Sequence, residues 1–380
     1  MKILHTSDWH IGRQLHGVAL IDDQRHVLEQ IVAIVAARAI DVVVIAGDIY
    51  DRAVPSPDAV TLLDQVLHAL NGECGVPVIL IAGNHDGPER LGFGARQLAQ
   101  AGVHVCGPLL PQPQPVLLDD AHGSVAFYPL PYADPATVRQ VLGADVQGHE
   151  QAMSALTAQI RAHNPEGRRS VVIAHCFLEG FESSDSERPL AVGGVETVPA
   201  ACFAGFDYVA LGHLHAPQAR GAKHIRYSGS ILKYSFSEAR QHKSVTVVEM
   251  DAKGRCAIER VELKARRDLR VIEGELEALL VNGRSDPQAE DYLLVRLLDT
   301  HAMLDVLGKL RTVYSNVLHI ERPTLNEGGE RRAPERDRLK QGEMPMFRDF
   351  WQQMTNEKLD DGAAAVVAEL LGQIHTGADA

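Results

Sequence analysis

The chain has 380 residues, 45% of them hydrophobic and 23% charged, with a formal net charge of -13. That size holds one large core with a smaller unit beside it. The acidic balance excludes a general basic coat for nucleic acid, and five cysteines without a C-x-x-C pair exclude a disulfide framework or a thiolate zinc site.

Taken in chain order, the first half alternates apolar runs with amphipathic segments, the pattern of an α/β layered fold. Strands are predicted at 2–6, 41–46, 77–82, 124–128, 170–174, 207–211, 225–227, 244–250 and 256–263. Helices are predicted at 20–38, 58–70, 88–101 and 149–163. The runs "DVVVIAG", "VPVILIAG" and "SVVIAH" are continuously apolar, as in strands covered on both faces. The later strands alternate more and have shorter connections, which points to a second, partly antiparallel sheet on the first. Residues 1–265 thus read as a two-sheet α/β sandwich. A strand–helix–strand–helix–strand unit, a small α/β capping domain, follows over 266–322, then a polar, charged linker over 323–343.

A helical tail closes the chain over 344–380. Phe347, Phe350, Trp351 and Met354 share one helix face, and Val366, Val367, Leu370, Leu371 and Ile374 line a second helix. This apolar surface either packs on its own domain or docks another protein. No apolar run approaches the ~20 residues of a bilayer span, and the opening "MKILHTSDWH" reads as a strand instead of a signal peptide. The expectation is a cytoplasmic protein without membrane contact.

Chemistry gathers just past the strand ends. "SDWH" holds Asp8 and His10, "GDIYD" holds Asp48, and "GNHD" holds Asn84, His85 and Asp86. "VVIAHC" adds His175, and "YVALGHLH" adds His213 and His215. Open α/β sheets bind ligands beyond the carboxyl ends of their strands, and a glycine before the ligand lets the backbone turn and approach closely. Each element alone is a weak motif. Five in order point to one convergent site.

In that order, "D-x-H … GD … GNHD … H … GHxH" resembles the signature of the calcineurin-like metallophosphoesterases, over residues 1–250. "ILHTSDWHIG", "IAGDIYDRAVPS", "AGNHD", "YVALGHLH" and "IRYSGSILKYSFSE" are similar to that family's DNA break-repair branch. The resemblance implies one ion on Asp8, His10, Asp48 and His215, and another on Asp48, Asn84, His175 and His213, with Asp48 shared. Imidazole and carboxylate ligands without thiolate suit Mn²⁺, Fe²⁺ or Zn²⁺ better than Ca²⁺, and two Mn²⁺ ions are the expectation. Two divalent ions against Asp8 and Asp48 leave a charge of about +2 (+4 − 2), which attracts a phosphodiester.

By the same resemblance, His85 stabilises the transition state and protonates the leaving oxygen. Asp86 either orients the His85 ring or caps the turn. Asp51 stands where archaeal and eukaryotic relatives carry a histidine, and a carboxylate cannot donate a hydrogen bond unless protonated.

The activity so implied is a metal-dependent DNA nuclease, a 3'–5' exonuclease and endonuclease acting on ends or hairpins in repair and recombination. An ATPase subunit would dock on the C-terminal helices, and a homodimer would form through the helices 58–70 and 88–101. The chain has no P-loop, so ATP use belongs to another chain. The basic runs "RGAKHIR" at 220–226, "KARRDLR" at 264–270 and "ERRAPERDRLK" at 330–340 are candidate DNA contacts or solvated surface. Two alternatives stay open: a small-molecule or cyclic-nucleotide phosphodiesterase, and a non-catalytic partner-binding scaffold.

Overall fold

The computed structural model describes residues 1–164, 166–190, 197–301, 303–323, 343–355 and 357–377. The chain divides into two compact units, Met1–Arg266 and Arg267–Ala380.

Two sheets face each other in the first unit. One runs in the order Cys256–Glu262, Ser244–Met250, Lys2–Thr6, Val42–Ile45, Val78–Ile81, Val103–Cys106. The other runs Ile225–Tyr227, Tyr208–Gly212, Arg169–His175, Gly123–Leu130, Val116–Asp120. Ile3, Val42, Val44, Ile79 and Ile81 of the first meet Val125, Phe127, Val171, Ile173, Tyr208 and Ala210 of the second in one buried cluster. Their alternating neighbours are buried too. Ala126, Tyr128, Val172, Val209 and Leu211 pack with Val138 of the helix Pro135–Leu142 and with Met153, Leu156 and Ile160 of the helix His149–His163. On the opposite side Leu4, Val43, Ile45 and Leu80 are fully enclosed, and the helix Ile21–Arg38 buries Val27, Leu28, Ile31 and Val35 along one stripe. Four layers explain the unbroken apolar runs, because such strands have no wet face.

Two expectations are corrected. The strands Ser244–Met250 and Cys256–Glu262 do not belong to the second sheet. They extend the first: Ser244–Met250 runs antiparallel to Lys2–Thr6, with Lys2 opposite Glu249, and Cys256–Glu262 runs antiparallel to Ser244–Met250. The alternation at 256–262 is that of an edge strand with one exposed face. The second sheet is partly antiparallel, as expected: parallel through four strands and antiparallel between Val116–Asp120 and Gly123–Leu130. Finally, the single helix expected at 88–101 is two short ones, Pro88–Leu91 and Ala95–Gln100, broken before Gly94 at φ +72°. Glycine takes that conformation at low cost.

The second unit carries the parallel strands Leu269–Gly274, Tyr292–Leu297 and Val317–Glu321 in that order, with the helices Leu276–Gly283 and Val306–Arg311 between them. Leu276, Leu279, Leu293, Val295, Leu297, Leu310 and Val317 form its core. The tail folds as Glu343–Thr355 and Asp361–Gly377, with the Phe347 ring 6.2 Å from Phe350 and 6.3 Å from Trp351. Phe350, Val366 and Leu370 are exposed. Linker residues 324–342 and the side chains of Met354 and Ile374 lie outside the described residues. No helix of the described chain is long and apolar enough to cross a membrane.

Candidate metal centre

The parallel strands Lys2–Thr6, Val42–Ile45 and Val78–Ile81 of one sheet, and Arg169–His175 and Tyr208–Gly212 of the other, deliver their carboxyl ends to a common rim. The loops beyond them are stitched together. The Asp8 N–H donates to the Gly47 carbonyl at 3.0 Å and the His10 N–H to the Asp48 carbonyl at 3.0 Å. Asp8, His10, Asp48 and His213 all have positive φ, between 45° and 106°, though none is glycine. Such backbone costs on the order of 1–3 kcal/mol per residue and persists only where its surroundings enforce it. Strain collects where the side chains must converge.

The glycines before the ligands have a spatial reason as well. A Cβ on Gly47 would strike the His175 ring, and one on Gly83 would lie inside the Asp48 carboxylate. Glycine stands there because the ligands fill the room a side chain would need.

Asp8, His10, Asp48, His175, His213 and His215 are all buried, with half-buried Asn84 among them. His10 Nε2 lies 3.1 Å from His215 Nε2. His175 Nε2 lies 2.9 Å and His213 Nδ1 3.3 Å from Asn84 Oδ1. Asp48 spans the two groups: its Oδ1 accepts the His85 N–H at 2.9 Å, while Oδ2 lies 3.6 Å from His10 Nε2 and 3.6 Å from His175 Nε2. Candidate ligand atoms of Asp8, His10 and His215 lie within 4.8 Å of one another, as do those of Asp8, Asp48 and His175. Asp8 therefore borders both groups.

Hydrogen bonds behind the rings set which nitrogen carries the proton. A carbonyl can only accept, so His175 donates Nδ1–H to Ala46 at 2.9 Å and keeps its Nε2 lone pair for the site. Burial, then the neighbouring rings, hold His10 and His213 well below the usual histidine range, and burial lowers His175 against the pull of Asp48. Burial and Asp48 together raise Asp8. His10 Nδ1 has no hydrogen-bond partner among the described residues. Neutral imidazoles with two crowded carboxylates and an amide oxygen, and no thiolate, form a donor set that fits divalent cations.

His85 is buried with its ring 4.6 Å from that of His10. Its Nδ1–H donates to the Asp51 carbonyl at 2.9 Å, leaving Nε2 4.0 Å from Asp48 Oδ2. Of the two roles left open for Asp86, the ring contact is made instead by the main chain of Asp51. The Asp86 carboxylate instead accepts the N–H groups of Ile49, Tyr50 and Gly83 at 3.1, 2.9 and 2.8 Å, clamping two loops together. Burial and Asp48 push it up to about 7 against those three donors. The Asp51 carboxylate pairs with Arg13 at 3.2 Å and lies 3.7 Å from His10 Nδ1.

Several residues behind the site were not singled out from the sequence. Gln24 donates to the carbonyls of Trp9 at 3.1 Å and His10 at 2.7 Å. Ser186, Glu187, Glu238 and Lys243 surround His215. One sign was available: the stretch "IRYSGSILKYSFSE" ends on Glu238, five residues before Lys243, and both are buried. Replacing Asp86 by alanine strands three buried donors, each worth about 1–3 kcal/mol. Asp86→Ala should lower the unfolding free energy in urea by about 3 kcal/mol or more, and an unchanged midpoint and slope would contradict the clamp.

The chain is similar to known proteins in sequence and in fold. The calcineurin-like phosphoesterase family matches residues 1–217, and the domain described as the type 5 capsule protein repressor C-terminal domain matches 265–355. A Staphylococcus epidermidis protein, named as the SbcD subunit of the nuclease SbcCD, is 33% identical over 375 residues, 98% of this chain and 99% of that one. A crystal structure from Thermus thermophilus is similar at 14% identity and a TM-score of 0.42, over 69% of this chain and 99% of that one. A dimetal phosphatase from Danio rerio is similar at 13% and 0.40, over 70% and 99%. Neither likeness adds to what the family match shows. With its strand-end motifs gathered at one buried rim, the chain belongs to the calcineurin-like phosphoesterase family.

Proposed function

We propose that the protein is a DNA nuclease that hydrolyses phosphodiesters with two divalent ions, Mn²⁺ foremost. The observation that carries this is Asp48 Oδ2, 3.6 Å from one ring nitrogen of each histidine group, the position of a carboxylate shared between two ions. Asp8, His10, Asp48 and His215 would hold one ion, and Asp48, Asn84, His175 and His213 the other. Bound there, the ions supply Lewis acidity toward a phosphodiester and make water a usable nucleophile at neutral pH.

The chain's own residues do the rest. Hydrogen bonds fix the His175 and His85 rings before substrate arrives, so little reorganisation is left for the reaction itself. His85, with Nδ1–H tied to the Asp51 carbonyl, presents Nε2 toward the shared carboxylate, and in its doubly protonated form would give the Nε2 proton to the leaving oxygen and return to the neutral ring. The near full-length similarity to a nuclease subunit supports DNA over a small substrate. The finer activities in this reading are those the sequence resemblance implies: 3'–5' exonuclease and endonuclease on ends or hairpins in repair and recombination.

The basic runs contribute less to a DNA grip than their charge suggests. Arg226 is buried, Arg220 pairs with Glu182, and Arg270 pairs with Asp286 and Asp291. The run 330–340 lies outside the described residues. With a net charge of -13, that pairing favours a duplex grip supplied largely by an ATPase subunit of the SbcC type, docked on the tail where Phe350, Val366 and Leu370 are exposed. Residues 266–322 act as a cap in this reading. Exposed Val60, Phe93 and Leu98 on or beside the 58–70 and 88–101 segments suit a homodimer contact, and the assembly works in the cytoplasm.

Single-stranded and duplex DNA with Mn²⁺ test the central part. The parent chain should cleave DNA, and His85→Ala should lose ~10²–10⁴-fold in rate while still binding metal. Hydrolysis of a cyclic nucleotide without DNA cleavage would overturn the assignment in favour of a small-molecule phosphodiesterase. For the tail, deleting residues 340–380 should abolish capture of the ATPase subunit and leave the melting midpoint of the rest unchanged. A lowered midpoint would make the tail a packing element instead.

A further inference from the structure

The two histidine groups are backed differently. His175 is held by a neutral main-chain carbonyl, that of Ala46. His215 is held by a buried ion pair. Its Nδ1 lies 2.6 Å from Ser186 Oγ and 3.2 Å from Glu238 Oε1, and Ser186 Oγ also bonds Glu238 Oε1. The other oxygen, Glu238 Oε2, meets Lys243 Nζ at 2.6 Å, and both side chains are buried.

Lys243 does more than neutralise Glu238. Its ammonium also reaches Ser230 Oγ at 2.8 Å, Gln241 Oε1 at 2.7 Å and the carbonyl of His215 itself at 2.8 Å. The His215 N–H in turn donates to Glu187 Oε1 at 2.7 Å. Residue 215 is therefore gripped at its amide nitrogen, its carbonyl and Nδ1, and Nε2 is the polar atom left to face His10. A carboxylate behind a histidine fixes the Nδ1–H tautomer and raises the basicity of the opposite nitrogen. Lys243 sets a positive charge against the far oxygen of that carboxylate.

We infer that Glu238 and Lys243 are a positioning pair for the ion held by Asp8, His10 and His215, and that they tune this site without tuning the one formed by Asn84, His175 and His213. The inference rests on the two-ion reading above. It predicts an asymmetry that a general structural role would not produce: loss of the pair weakens one ion and spares the other.

The test uses the full chain, stripped of metal and titrated calorimetrically with Mn²⁺. The double variant Glu238→Gln with Lys243→Met removes both charges together and leaves neither buried alone. The parent should take up two ions. The variant should bind one ion as the parent does and the other ~10–100-fold more weakly, the usual effect of losing an outer carboxylate. In the metal-free state, ¹⁵N imidazole shifts should place His215 in the Nδ1–H tautomer in the parent and in a mixture in the variant. If the double variant does not fold, Glu238→Gln with Lys243→Gln asks the same question, since it removes both charges and keeps a hydrogen-bonding group at position 243. Equal weakening of both ions, or of neither, overturns the inference. A parent that binds fewer than two ions overturns the two-ion reading itself, a result the variants cannot mimic.

Discussion

Two carboxylates, Asp8 and Asp48, sit buried beside each other at the meeting edge of two sheets. Enclosing a charge costs several kcal/mol unless something opposes it, and what reaches these oxygens is the Ser7 hydroxyl and the His213 and His85 N–H groups, with no cationic side chain among the described residues hydrogen-bonded to either. The arrangement is unfavourable for a protein alone and favourable for a protein with cations. Much of the surrounding structure follows from that conflict. Positive-φ backbone at four ligand positions, the glycines at 47 and 83, and the clamp made by Asp86 all hold groups together that would otherwise separate.

The sandwich supplies the rigidity. Strands buried on both faces cannot slide without exposing one face or overfilling the other. Their carboxyl ends are therefore fixed points, and residues one to four positions beyond them inherit that fixity. Positioning one Asp48 oxygen at matched distances from two rings contributed by different sheets requires this, since loops packed on a soft scaffold would not hold it.

Much of this was legible in the sequence, for a definite reason. A strand inside four layers must be continuously apolar, so "VVIAGD" and "ILIAGN" announce both the strand and the point where it leaves the core. The ligand types follow within a few residues. Sheet membership was less legible: 244–250 and 256–262 alternate like members of any antiparallel pair, and their partner Lys2–Thr6 is more than two hundred residues away in the chain. The interruption at Gly94 was visible as a glycine but was outweighed by the helical periodicity around it. The shell behind His215 was only partly legible: Glu238 and Lys243 lie five residues apart, but Ser186 joins them only after the fold forms, and each alone resembles an ordinary polar surface residue. For Asp86, spacing placed the carboxylate next to His85 but not which donors it meets.

The central claim is that these side chains cage a pair of ions around Asp48. Anomalous diffraction from crystals soaked in Mn²⁺ measures it directly. Two peaks are expected, one beside His10 and His215 and the other beside His175 and His213, with the Asp48 carboxylate common to both. A single peak, or two peaks that do not share Asp48, would contradict it.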